Sequence, residues 1–542
     1  MKTVATLLIE HFKKYGVTHV FGIPGKAISP LVIETGKQGI TYVLCRHEAG
    51  AGFAATGFSL GSDLLGIAIS TSGPGGTNML TAAAQAKAFN LPVLFITGQP
   101  SMTNVGRALV QDSSIFGTDL VKMFEQVTLF SARVERSDVF HLYFQHALEK
   151  AWCGRGPVHL SIPFDVLMDE TQPFELEFPI RTSVLSSEID KIIPIIDNAK
   201  YPVMLLGQGV HLSKAYEEVQ QLAMRWQIPV MTTPSGKGCF PAGSPFLLGG
   251  LGVAGSKDSY NHLRQGVDLM LIIGTNLSDM VLADVTFDLL PKQVIQFDSD
   301  LTFIGKSIPI TPITVMGDIK YNIQKLLSKT TYHKSSYRNF GISQVVNSGE
   351  ITNSSKYIST AQTMRILRKN LPDETLIISD SGSHSFYAVK YLDIYEPGTF
   401  YFDDFFGAMG HAIAVAIGAK LSQPDRKVVC ITGDGCLMMH GTEISTAVCN
   451  NASTIFVVIN NGRLDMVEKA MQYSYGKVIG AVYETPIDAT LFGRSLGATA
   501  FCCHTKSEIE NAIKIALKNQ GPTVIEVMVD PNEIPPTLSR ET

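Results

Sequence analysis

The sequence predicts an α/β protein built from three open, doubly wound sheets. Two observations carry that prediction. Short β-rich apolar runs alternate with helical stretches from one end of the chain to the other, in three successive blocks. Several of those runs are apolar at every position, as strands buried on both faces of a parallel sheet must be. At 542 residues the chain is also too long for a single hydrophobic core.

The first block opens with MKTVATLLIEHFKKYG, whose spacing predicts an amphipathic helix. Glu10, His11 and two lysines interrupt it too early for a signal peptide. Strands are then expected at 20–23, 42–44, 66–70, 93–97, 127–134 and 158–162. The middle block offers strands at 203–206, 230–233, 269–274 and 294–297. The last offers 375–379, 399–402, 428–432, 455–460, 500–502 and 524–529. Two stretches without period separate the blocks. One, 169–186, carries Pro and Glu; the other, 328–356, is rich in Ser, Asn, Lys and Tyr. They divide the chain into domains at 1–170, 187–328 and 357–535.

Composition narrows the function. With 45% hydrophobic and 17% charged residues the chain reads as an ordinary soluble protein. A net charge of −5 and the lack of a long basic run argue against nucleic acid or an anionic membrane as partner. No long apolar stretch is free of glycine-rich turns, so no membrane span is expected. The 8 cysteines form no C-x-x-C pair. Cys45, Cys430, Cys449 and Cys502 lie in apolar surroundings and read as reduced core residues of a cytoplasmic protein.

The chemistry starts at ITGDGC, where the strand at 428–432 ends in Asp434 between Gly433 and Gly435. A plain turn is the ordinary reading of such a triplet. One helix later a second apolar strand ends in Asn460-Asn461-Gly462. Two parallel strands joined by a helix place their carboxyl ends side by side, where α/β sheets bind ligands. The carboxylate of Asp434 and the amide oxygen of Asn461 then converge. That donor set is too lightly charged for a calcium cage, but it suits Mg²⁺, which shares its six oxygens with phosphates and water. The amides of Gly435 and Cys436 open the next helix and can meet a phosphate. A diphosphate ligand follows.

The stretch 433–462 resembles the thiamine-diphosphate motif of the decarboxylase and acetolactate synthase superfamily. The resemblance implies a metal held by Asp434, Asn461 and the backbone carbonyl of Arg463. It also implies a carboxylate at the end of the second strand of the first domain, which hydrogen-bonds the cofactor's aminopyrimidine and so activates its thiazolium carbon. Glu48, in RHEAGAGFAATG, stands there. Alone, it would be an ordinary helix-start glutamate beside a helix dipole.

The likeness runs through nearly the whole chain. FGIPG, RHEAGA, TSGPGGTN (with Gly73 and Asn78), ITGQ and QDSSIFG (opening with Gln111) resemble a pyrimidine-binding domain. VMLLGQGV resembles the start of a central domain. DSGSHSFYAVKYL and FGAMGHAIAVAIGA resemble the start of a diphosphate-binding domain. On this likeness Gly382, Ser383 and His384 lie near the diphosphate, and Met409 is the apolar wedge that bends the cofactor. Gly433, Asp434, Gly435, Cys436, Asn461 and Met466 complete the cofactor contacts. The resemblance implies a homodimer or homotetramer with active sites between chains. It implies decarboxylation of a 2-oxo acid, pyruvate as donor, with carboligation to an acceptor carbonyl. Glu48 would activate the cofactor and Gln111 orient substrate.

The departures gather around the substrate side. The family usually has PGGA where this chain has Pro24-Gly25-Lys26-Ala27. It has small residues and a glycine turn where this chain has Asp403-Asp404-Phe405-Phe406, and a Gly before Met466 where this chain has Asp465. Lys26 is thus a candidate to pair with a substrate anion. The alternatives are a decarboxylase or carboligase for a more polar 2-oxo acid, a thiamine oxidase, or a non-catalytic paralogue. Gly207-Gln208-Gly209 is a single glycine pair and GTNLSDMV lacks a charged cluster, which argues against FAD.

Overall fold

The computed structural model describes residues 1–330 and 357–538. Most of the 328–356 linker expected from composition lies outside them. Three six-stranded sheets hold the chain, and every pairing within them is parallel. The first runs Thr41–Leu44, His19–Gly22, Gly66–Ser70, Val93–Gln99, Pro157–Pro163, Ser131–Arg133 from edge to edge. The third runs Phe400–Phe402, Leu376–Ser379, Val428–Gly433, Thr454–Asn460, Thr523–Met528, Thr499–Cys503. In chain order both read 2-1-3-4-6-5. The central sheet reads 3-2-1-4-5-6, with Pro202–Leu206 and Leu269–Ile273 at its middle. In each sheet the order reverses beside its first strand, and a crevice opens there at the carboxyl ends.

The central strands of each sheet are buried from end to end, as in Val428–Gly433 and Thr454–Asn460. Besides the two-residue pair Lys2–Thr3 and Glu170–Thr171, two strands of the large sheets escaped the sequence reading. Leu247–Gly250 is half glycine, and Ile313–Met316 is a partly buried edge strand after a Pro-bearing stretch. The run expected at 127–134 shrinks to Ser131–Arg133, another half-buried edge. Edges carry only part of the apolar signal that marks a buried strand. Cysteine placement also needs correcting. Cys45 and Cys430 are buried, but Cys449 and Cys502 are exposed; all eight are free.

The expected linker at 169–186 is not loose. Phe174, Leu176 and Phe178 pack onto the first domain's core, Tyr15 donates to Leu176 O at 2.9 Å, and Arg181 stacks over Trp152. The first and third domains meet along the helices Glu48–Ser62 and His411–Ser422. Their crossing is close enough that a Cβ on Gly57 would lie 1.9 Å from Val415 O, and one on Gly418 would lie 1.8 Å from Ala54 O. Among the described residues no helix is long and apolar enough to cross a membrane.

Candidate active site

The crevice of the third sheet opens between Leu376–Ser379 and Val428–Gly433, which pair directly. Helices begin immediately after both, at Ser383 and Asp434. A cavity of about 240 Å³ lies there, lined by Gly382, Ser383, His384, Met409, Gly433, Asp434, Gly435, Cys436, Asn461, Arg463 and Met466. Every residue that the resemblance assigned to the diphosphate and metal thus lines one cavity.

Asp434 is buried, and burial pushes its carboxyl up to about 6; neighbouring N–H groups pull the other way. Oδ1 accepts from Gly435 N at 2.8 Å, while Oδ2 accepts from Gly462 N at 2.7 Å and Arg463 N at 3.2 Å. These bonds fix the 461–463 turn against the carboxylate. Gly462 has φ 72°, a left-handed conformation that glycine adopts without strain. No group of three or more His, Cys, Asp and Glu suited to a metal occurs among the described residues. Around the 461–463 turn the site offers one carboxylate, one amide oxygen and backbone carbonyls, a hard-oxygen set that fits Mg²⁺ shared with phosphate, while Asp465, Asp530 and Glu533 also line the cavity. The Gly435 amide, expected to face phosphate, already has the Asp434 carboxylate as a partner.

The cavity also fits an anion. Ser381 Oγ, His384 Nε2 and Tyr387 Oη are buried polar atoms on its wall with no hydrogen-bond partner among the described residues. Native interiors rarely leave such groups unpaired, so each is a site for ligand oxygen. Burial pushes the His384 imidazole down to about 4, which leaves it neutral at pH 7. Gly382 at φ 152° lets the chain pass His384: a Cβ there would lie 2.8 Å from the ring. Ser381 and Tyr387 were not singled out from sequence, although both stand in the DSGSHSFYAVKYL stretch.

The first-domain residues form a second group. Glu48 starts its helix after strand Thr41–Leu44, and its Oε2 accepts from Asn78 Nδ2 at 2.9 Å. Gly73, at φ 60°, packs against Gln111, and its N–H donates to Ser113 Oγ at 2.7 Å. Lys26 is exposed and begins the short helix Lys26–Ile28 after strand His19–Gly22. These residues cluster at the crevice of the first sheet, and none lines the third-domain cavity.

A contact that sequence reasoning missed links the two groups. Glu443, just beyond the Asp434–His440 helix, accepts from Arg46 N at 3.0 Å and His47 N at 2.9 Å. It therefore seats the turn before Glu48. The partners are hundreds of positions apart, and neither carries a local signal.

Comparison with known proteins adds the family. The N-terminal TPP binding domain of thiamine pyrophosphate enzymes matches residues 2–123, the central domain 189–326, and the C-terminal TPP binding domain 380–527. The acetolactate synthase large subunit of Corynebacterium glutamicum is 30% identical over 97% of this chain and 87% of its own length. That of Pyropia yezoensis is 27% identical over 98% of this chain and 92% of the relative. The acetolactate synthase isozyme 2 large subunit of Escherichia coli is 26% identical over 99% and 98%.

Proposed function

The chain belongs to the thiamine pyrophosphate enzyme family, and from that membership we propose an acetolactate synthase-like carboligase that decarboxylates a 2-oxo acid, pyruvate as donor, and joins the remaining fragment to an acceptor carbonyl. The observation that carries the reading is the third-domain cavity, where oxygen donors and unpaired polar groups face one space. Thiamine diphosphate, when bound, supplies a carbon nucleophile and a sink for the electron pair left by departing CO₂. Everything else falls to the chain. Asp434, Asn461 and the carbonyl of Arg463 would present oxygens to Mg²⁺, and Ser381, Ser383, His384 and Tyr387 would meet the diphosphate. Met409 and Met466 supply apolar walls. Glu48, whose carboxylate accepts from Asn78, would hydrogen-bond the aminopyrimidine. Gln111 orients substrate.

Glu48 and the cavity belong to different groups within one chain. This separation supports a site completed by a second copy, and we read the working unit as a homodimer or a larger homo-oligomer with sites between chains. The exposed Val110, Ile115 and Phe116 beside Gln111 support a covering surface there. The central crevice supports a mechanism without flavin. Gly207, Gly209 and Gly274 close on one another, and Gly209 N is spent on Gly274 O at 2.8 Å.

One observation favours a second reading. Lys26 is exposed at the first-domain crevice with no ion pair among the described residues, which suits a more polar acceptor. A screen of 2-oxo acids, singly and in pairs, with products identified by mass, separates the cases. A coupled product that requires thiamine diphosphate supports the carboligase. An aldehyde alone makes it a decarboxylase. A protein that binds cofactor and turns over nothing overturns both.

A further inference from the structure

Gln85 lies on the helix Leu80–Ala88 of the first domain and is 0% exposed. Its amide reaches across to the third domain. Nε2 donates to Asp403 Oδ2 at 2.6 Å, and Oε1 accepts from Ala408 N at 3.1 Å. Asp403, also buried, accepts from Phe405 N and Gly407 N, each at 2.9 Å. Two more groups act on the same loop. His411 Nδ1 donates to Ala408 O at 2.6 Å, and Asp380 Oδ1 accepts from Gly410 N at 2.8 Å. The peptides on both sides of Met409 are therefore held by His411 and Asp380, and the peptide before them, between Gly407 and Ala408, is held by Gln85 from another domain. Met409 lines the cavity, its Cε 3.4 Å from where a Cβ on Gly435 would stand. The same loop leaves Phe405 60% and Phe406 47% exposed next to Gly407, another lining residue.

We propose that Gln85 is a positioning residue: through Asp403 and Ala408 it sets where Met409 and the Phe405-Phe406 pair stand at the cofactor cavity. The inference rests on the reading of that cavity as the thiamine diphosphate site. Glutamine suits the task because its amide offers a donor and an acceptor in one rigid plane. A buried amide is tolerated only when both ends are satisfied, and here both bonds leave the helix for the other domain. A satisfied buried network of this kind specifies one arrangement of the loop it holds. Around Gln85 its own domain is apolar: Phe53, Leu120 and Phe124 share the cluster that includes its helix neighbours Ala82, Ala83 and Ala86.

The test is calorimetric binding of thiamine diphosphate with Mg²⁺, far below the melting temperature. Wild type is compared with Gln85→Met, Gln85→Glu and the reciprocal pair Gln85→Glu/Asp403→Asn. Methionine keeps the length and removes both polar ends. Affinity is expected to fall roughly tenfold or more. Glutamate faces the Asp403 carboxylate with like charge and should bind worse still. The reciprocal pair restores the Gln85–Asp403 bond with its donor and acceptor exchanged. It should regain roughly tenfold or more over Gln85→Glu but stay short of wild type, because the new amide nitrogen at position 403 cannot accept from Gly407 N. Its partition between coupled and uncoupled products should move back toward wild type with it. Wild-type affinity in Gln85→Met overturns the proposal. So does a reciprocal pair no better than Gln85→Glu, since a merely structural glutamine gains nothing from the exchange. A wild type that takes up no thiamine diphosphate overturns the reading of the cavity, and the proposal falls with it.

Discussion

The first and third sheets share one strand order and use the same crevice, yet they finish it differently. In the third, the strand ends carry a buried aspartate, a buried neutral histidine and unpaired polar atoms around a cavity. In the first, Lys26, Asn78 and Gln111 are exposed and Glu48 is half-buried, with its carboxylate on Asn78. In the central sheet, Gly207 and Gly209 pack against Gly274 at the corresponding strand ends. Topology supplies a place at the strand ends. The residues after each strand decide how that place is lined. An anion site must be built into the protein. A proton-relay site can stay open if a second chain covers it.

The largest expected effect tests the first crevice. Glu48→Gln keeps the shape and the Asn78 contact but removes the carboxylate that exchanges a proton. Turnover should fall roughly 10²- to 10⁴-fold while thiamine diphosphate binding, measured by calorimetry, stays near wild type. Undiminished turnover would make the two crevices equally passive and end the comparison.

The next effect tests the third crevice. Asp434→Ala should weaken cofactor binding by roughly 100-fold, and chelation of wild type should stop activity until Mg²⁺ returns. Tight binding by metal-free protein would contradict the donor set. Mixing the two inactive variants sharpens the comparison further. If sites form between chains, half of the random dimers carry one intact site of two, so about a quarter of wild-type activity should reappear. A mixture that stays dead places Glu48 and Asp434 of one chain in one site.

Lys26→Gly reaches the substrate side of the first crevice. It should raise the Michaelis constant for the native acceptor by roughly tenfold, the lower end for a charge-assisted bond, with cofactor affinity unchanged. A variant matching wild type across the 2-oxo acid panel would make Lys26 a solvated loop residue and weaken the reading of a more polar acceptor.

How much of this was legible in the sequence depends on whether the signal is local. Asp434 and Asn461 follow apolar strands, so the strand pattern marked their positions, whereas Glu48 follows the half-exposed edge strand Thr41–Leu44 and only the motif resemblance singled it out. The layout of strands was legible wherever both faces are buried, and failed at the edges Leu247–Gly250 and Ile313–Met316. The contacts that join domains were not legible. Glu443 to Arg46 and Gln85 to Asp403 each pair residues more than 300 positions apart, and a buried glutamine on an alanine-rich helix reads as an ordinary polar interruption. The departures at 403–406 were visible as departures. That Asp403 is a buried acceptor for its own loop, with Phe405 and Phe406 turned outward, needed the fold.

The smallest expected effect lies where the third-domain loop touches the central domain. Burial pushes the Asp404 carboxyl up to about 6, the neighbouring Asp403 adds to the rise, and Ser235 from the central domain pulls the other way. Asp404 Oδ2 is buried without a partner. A carboxyl raised in the folded state binds its proton more tightly there than in the unfolded chain. Its contribution to stability is therefore fully present below the unfolded value near 4 and is lost as pH rises through about 6. Asp404→Asn removes the ionisation and keeps an oxygen for Ser235. At about pH 7.5 the cofactor-free variant should be more stable than wild type by roughly 2 kcal/mol, seen as a higher Tm, and near pH 4 the two should melt together. The gap should open between those limits, following the titration of one buried group. A gain that persists unchanged at low pH would have to come from packing instead. Equal melting at every pH would mean that the carboxylate is solvated, and that the third-domain loop is not sealed against the central domain at this point.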